Sequence, residues 1–261
     1  MRPYIIPVLF LLVGFFVPGK CFSQEFDDQD TVNNGILMLK EKSGNISLHT
    51  LGYGLGYKFG YNKDYFKRRI IEFDLLEMKS PNQVKTYNDN FVSPKYYFYG
   101  KLNNLYILRA GLGFQHLINR KPYWGGIEVR YFYSGGLSLG LAKPVYLYIS
   151  YYKSDLIIFA TKTEKFDPTK NYPVTTADYT YDIYGRAPVF TGFNEIKPYP
   201  GIYAKAGFTF DFGVLNDRVK ALEIGIVIDG YPKGIPVMAF RDPYHIFVTG
   251  YLSFNFGRRF N

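Results

Sequence analysis

Cysteine is almost missing from this 261-residue chain: the one example, Cys21, sits at the end of an apolar N-terminal stretch. Without a second thiol the rest of the chain has no disulfide, no zinc-cysteine cluster and no cysteine nucleophile. Histidine is scarce too. His49, His116 and His245 are scattered, with neither metal-ligand nor acid-base spacing, so no metal and no cofactor is expected. Long apolar runs are missing too. Beyond residue 17 nothing reaches the length of a membrane helix without charges or glycines, which excludes a helical span. Acids are outnumbered, 22 Asp and Glu against 31 Lys and Arg. These cations are spread over turns and strands without a cluster, so anionic lipid headgroups and lipopolysaccharide are the expected partners and nucleic acid is not.

What is abundant is aromatic: 26 Tyr and 24 Phe, alongside 26 Gly, in a chain of nearly neutral mean hydropathy. A soluble protein would have to bury those rings in one core. A membrane barrel turns half of each strand to lipid and the other half to a polar interior, and so accommodates them. The end of the chain carries the pattern most openly. Ile246, Val248, Gly250, Leu252, Phe254, Phe256, Arg258 and Phe260 form one register, against Phe247, Thr249, Tyr251, Ser253, Asn255, Gly257 and Arg259. Period-two alternation with a terminal aromatic fits the closing strand of an outer-membrane barrel, with Phe254, Phe256 and Phe260 as its insertion signal.

Residues 1–23 read as a signal peptide, with Arg2, an apolar stretch over residues 4–17, and small residues before Gln24. A lipid anchor on Cys21 needs a small residue before it, and Lys20 stands there. Loss of Arg2 and Lys20 with the leader lowers the net charge from +9 to +7. Residues 24–34 read as a periplasmic tail and 35–261 as the barrel.

The predicted fold is all-β: a closed antiparallel transmembrane barrel of about ten strands, eight being possible, with long extracellular loops. The strands fall at residues 35–42, 46–61, 67–78, 93–101, 105–117, 126–141, 145–160, 201–212, 219–229 and 246–260. Their inward register holds Lys58, Arg109, Arg130 and Lys205 with Glu72, Asp74, Glu128, Asp211, Glu223 and Asp229. Opposite charges in a narrow lumen should pair and close it, because buried charges need partners. The alternative is a narrow pore or transporter that uses them as an ion path.

Enzymatic chemistry has one foothold. Ser47 and His49 share a face of the second predicted strand, loosely like the lipid-facing Ser/His pair of outer-membrane phospholipases, but no third group to orient the imidazole is apparent. The run Gly52-Tyr53-Gly54-Leu55-Gly56 lies in a strand with no helix after it, so it is no phosphate loop. The expectation is a non-enzymatic protein. Function is expected in the external segment at about 161–200, where Tyr179, Tyr181, Tyr184, Arg186, Phe190 and Phe193 are candidates for contact with other outer-membrane or surface proteins. The same segment could instead fold over the barrel mouth as a lid, together with residues 231–244.

Four places in the chain resemble a family of small outer-membrane barrels of the Bacteroidota: the Ser23-Gln24 junction, the segment from Glu41-Lys42-Ser43-Gly44 to Leu48-His49-Thr50, the turn Tyr99-Gly100-Lys101-Leu102-Asn103, and the terminal Phe256-Gly257-Arg258-Arg259-Phe260. The resemblance implies no catalytic residue. It implies a subunit of a larger outer-membrane assembly, such as a protein-insertion or secretion machine. The chain departs from the usual pattern by ending on Asn261, one residue after the aromatic.

Overall fold

In the computed structural model, eight strands close into an antiparallel barrel. The structure describes residues 39–260 except 65, 92, 94, 121–125, 154–155, 171, 176–179 and 214–216. The predicted leader, the tail and Tyr179 lie outside the described residues.

The strands are β1 (Lys40–His49), β2 (Gly52–Asn62), β3 (Lys67–Met78), β4 (Lys85–Thr86), β5 (Tyr97–Phe98), β6 (Asn103–Asn119), β7 (Glu128–Pro144), β8 (Tyr146–Lys153), β9 (Leu156–Lys165), β10 (Val174–Thr175), β11 (Thr180–Arg186), β12 (Lys197–Asp211), β13 (Arg218–Ile235) and β14 (Tyr244–Phe260). Around the barrel the order is β1-β14-β13-β12-β7-β6-β3-β2, and β1 returns to β2. The seam between the first and last barrel strands pairs Lys40 with Phe260 and His49 with Tyr251. Strands β8 to β11 form a separate four-stranded sheet, and β4 pairs with β5.

Alternation decides the faces. On β3, Ile70, Glu72, Asp74, Leu76 and Met78 are buried while Phe73 and Leu75 are exposed; on β12, Tyr203, Lys205, Thr209 and Asp211 are buried while Ile202 and Phe208 are exposed. A surface that exposes Leu55, Leu112, Leu137, Ile202, Ile226 and Val248 while burying Lys, Arg, Asp and Glu is the reverse of a soluble protein. It is stable in hydrocarbon, where closure also leaves no strand edge unpaired.

About ten strands were expected, with eight possible, and eight line the barrel. The segment 93–101 is mostly loop, containing only β5, and 145–160 leaves the barrel as β8 and the start of β9. Both deletions flank the β6–β7 hairpin, so that hairpin runs opposite to expectation, and the two changes cancel from β12 onward. One barrel end therefore carries the connections 63–66, 120–127 and 212–217, and is called the turn end. The other, the loop end, carries Thr50-Leu51 and the segments 79–102, 145–196 and 236–243. Asn103-Asn104 and Lys143-Pro144, read as periplasmic turns, lie at the loop end; of the segment 118–124, read as an external loop, residues 118–120 lie at the turn end and 121–124 lie outside the described residues.

A second correction is smaller and has a larger effect. Ser43-Gly44-Asn45 is no turn: Gly44 pairs with Phe256 on one side and Tyr57 on the other, and the hairpin lies at Thr50-Leu51. A two-residue hairpin pairs His49 with Gly52, so odd residues point inward before it and even residues after it. Gly52 is required there, because a Cβ would stand 2.2 Å from the Glu77 carbonyl oxygen. Ser47 and His49 consequently face the lumen, and the exposed neighbours are Ile46 and Leu48.

Candidate functional site: a closed lumen and a loop-end sheet

All ten predicted lumenal charges lie on the inward register. Lys205 sits at the centre, its Nζ 3.2 Å from Glu72, 3.2 Å from Glu223 and 3.6 Å from Asp74. Lys58 reaches Glu223 at 2.5 Å. Hydroxyls complete the carboxylates: Tyr203 and Ser134 donate to Glu72 at 2.9 and 2.6 Å, and Tyr251 donates to Glu223 at 2.7 Å. Toward the loop end Arg109 holds Asp229 through two hydrogen bonds, at 2.9 and 2.5 Å, with Ser138 donating at 3.1 Å. Toward the turn end Arg130 pairs with Glu128 at 2.5 Å, and Arg259 bridges Asp211 and Glu41.

Sequence reasoning missed three members of this network, Glu41, Arg68 and Arg259. Arg68 bonds Glu41 at 2.7 Å and Asn62 at 2.7 Å. Parity alone would have found Arg68, two residues before Ile70 and four before Glu72. Arg259 also had the inward parity of the last strand, and Glu41 was hidden by the misplaced first turn. With them the lumen carries six cations and seven carboxylates, closer to balance than the four and six expected from sequence.

Above the ions the lumen turns apolar. Leu76, Met78, Leu105, Ile107, Tyr199, Tyr231, Ile235 and Phe247 form a buried layer with Val237 and Met238, which descend from the β13–β14 connection. That connection is pinned across the mouth: Leu102 N–H donates to the Val237 carbonyl at 3.0 Å, Ala239 N–H to Gly100 at 2.7 Å, and the Asn103 amide to Pro236 at 2.7 Å. Lys101 is buried beside it, donating to Gln83 at 2.9 Å, and burial pushes its ammonium down to about 8 against partial support from Glu77. Among the described residues no metal-binding group of His, Cys, Asp and Glu occurs. His49 accepts from Leu51 N–H at 3.3 Å through Nδ1, the ring nitrogen nearest its backbone.

The loop-end sheet is a body with its own core of Leu147, Ile149, Phe166 and Ile183, against Tyr97 from β5. Strand β8 follows β7 with Val145 alone between them, so the barrel strand runs straight into the sheet. The 79–102 segment is fastened to β11: Lys95 N–H donates to Tyr184 at 3.2 Å, and the Tyr184 hydroxyl donates to Ser93 at 2.9 Å. Tyr184 is thus spent on holding this loop, its ring edge-on to Phe91 at 5.4 Å. Tyr181 pairs through its backbone with Val174 and Tyr151.

The other candidates are outward. Arg186 is exposed at a cleft lined by Lys85, Lys95, Tyr96, Phe98 and Tyr148, with no carboxylate among its described lining residues. Phe190, 84% exposed, stacks on Phe193 with ring centroids 6.2 Å apart. Their turn is anchored by Glu195, which accepts from Tyr146 at 2.9 Å and pairs with Lys165; these partners hold its carboxyl below the usual range.

The cations do cluster, contrary to expectation. At the turn end Lys42 lies opposite Arg258, and Arg258 opposite Arg218, in one outward-facing row across β1, β14 and β13.

A closed barrel with a lipid-facing apolar surface, a salt-bridged interior and, among the described residues, no helix long and apolar enough to span a bilayer is an integral β-barrel of the outer membrane. No family model and no curated protein matches the chain. Among solved structures it is similar to the Neisserial surface protein A, with 10% identity over 85% of this chain and 96% of that one at a TM-score of 0.37. It is also similar to Ail, the attachment invasion locus protein of Yersinia pestis, with 11% identity over 85% and 97% at a TM-score of 0.39. A second Ail structure, in complex with the heparin analogue sucrose octasulfate, matches with 10% identity over 85% and 97% at a TM-score of 0.38.

Proposed function

We propose that this barrel is a non-enzymatic accessory subunit of a larger outer-membrane complex and meets its partner protein through the loop-end sheet. The observation that carries this reading is the stacked pair Phe190 and Phe193, with Val189 beside it, exposed on an anchored turn next to the basic cleft at Arg186. Aromatic side chains held rigidly in water lose little entropy on docking, which is why such rings dominate protein interfaces. The sheet is also an extension of a barrel strand, so a partner that grips it is aligned with the membrane. The resemblance to Bacteroidota barrels points to protein-insertion or secretion machinery as the assembly.

The lumen supports the same reading by what fills it. An ion-paired middle and an apolar layer under a pinned connection favour a scaffold over a transporter. The test is purification from native membranes in mild detergent. Co-purifying chains should be lost in a Phe190→Ser/Phe193→Ser variant whose barrel remains folded. A wild-type protein that emerges as a clean monomer refutes the proposal.

A further inference from the structure

We propose that the row Lys42, Arg258 and Arg218 seats the phosphate headgroup of an anionic phospholipid across the closing seam of the barrel. This site is independent of the loop-end reading. Register places the three cations directly opposite one another on adjacent strands. Neighbouring strands are about 4.8 Å apart, so the row spans about 10 Å. Like charges directly opposite on a sheet repel and destabilise the pairing, and here two such pairings fall together, one of them in the seam that closes the barrel. An anion bound between them converts that repulsion into a clamp.

Among the described residues no salt bridge joins Lys42, Arg258 or Arg218 to a carboxylate. The acids near the row are Glu41 and Asp211, which point into the lumen where Arg68 and Arg259 hold them, and exposed Asp217, which stands beside Arg218 in the turn and whose carbonyl accepts from Arg259 N–H. Among the described residues Glu77, at the loop end of β3, is the only carboxylate on the outward register of the barrel strands. Exposed Lys40 and Lys220 extend the patch along the same face.

The surroundings select a lipid. Directly along the last strand from Arg258 come Phe256 and Phe254, both exposed and apolar, while Lys42 lies over the Phe260 ring at 5.0 Å. Cations at the border of an apolar strip sit at headgroup height with room for acyl chains beside them. Short connections mark this end as periplasmic, the leaflet made of phospholipid. A free phosphate offers the same charge without the acyl chains.

The test compares the thermal unfolding of the refolded barrel in phosphatidylcholine vesicles, with and without phosphatidylglycerol, and counts retained lipid by native mass spectrometry. Phosphatidylglycerol should raise the midpoint of the wild type. The Lys42→Gln/Arg258→Gln/Arg218→Gln variant should lose that rise, and lipid retention should fall about fivefold per cation removed. In pure phosphatidylcholine the variant should be at least as stable as the wild type, since it has lost the repulsion. If the triple variant fails to fold, Arg258→Gln alone, at the centre of the row, carries the same comparison. A Lys67→Gln/Arg69→Gln variant, which removes exposed cations of the same rim outside the row, should keep the phosphatidylglycerol response. The proposal fails if that control loses the response equally, if inorganic phosphate reproduces the rise, or if phosphatidylglycerol has no effect on the wild type.

Discussion

Replacing Lys205 with Met removes the cation at the centre of the lumen and leaves most of its packing volume. Glu72 keeps Tyr203 and Ser134, and Glu223 keeps Lys58 and Tyr251, but Asp74 loses its ion pair. Removing one partner of a buried pair costs about 3–5 kcal/mol, because the remaining charge is desolvated without compensation. For a barrel of this size that corresponds to a fall of about 6–20 °C in the unfolding midpoint, at roughly 2–4 °C per kcal/mol. Lys205→Met/Asp74→Asn removes the stranded charge and should recover about half of the loss, a coupling that a double-mutant cycle measures. The assay is thermal unfolding in detergent micelles followed by far-UV circular dichroism. A Lys205→Met midpoint within 2 °C of the wild type, a change worth less than about 1 kcal/mol, would show that the cluster is screened and refute the reasoning from a buried, ion-paired lumen. Planar-bilayer conductance should stay absent in the variant, because the apolar layer above the ions is untouched.

Gly52→Ala drives a methyl group into the Glu77 carbonyl at the first hairpin and should destabilise by about 1–3 kcal/mol, read from the same unfolding curve. Purified protein should release no fatty acid from phospholipid vesicles, and Ser47→Ala and His49→Ala should match it; turnover abolished by either change would overturn the non-enzymatic reading. Lys101 titrates in the folded protein near 8, below the ordinary 10.5, so between these values the unfolded chain holds more protons and stability rises with pH. Below about 8 the burial penalty is fully present, and Lys101→Met should stabilise the protein at neutral pH and flatten the midpoint-against-pH profile across that window.

Local pattern made the strand faces legible wherever a strand was correctly bounded: Ile71, Phe73 and Leu75 against Glu72 and Asp74, or Leu222, Ile224 and Ile226 against Glu223. It failed where parity changed without a punctuating residue. Thr50-Leu51 carries none of the usual turn residues, whereas Ser43-Gly44-Asn45 carries three and is strand. That single error put Ser47 and His49 on the wrong face. The segment 145–160 alternates as well as any barrel strand, since a sheet with one packed face needs the same period two as a barrel.

The sequence by itself determined the class of the protein. Period-two alternation with aromatics on one register and paired charges on the other is stable only where lipid lies outside and a polar lumen inside, so barrel, membrane and inward charges follow from spacing. Tertiary structure decided which segments close the barrel, which carboxylate each cation meets and which cations stand in one row. Those depend on register between strands far apart in the chain: Lys58 and Glu223, or Lys42, Arg258 and Arg218, become neighbours only when the sheet closes on itself.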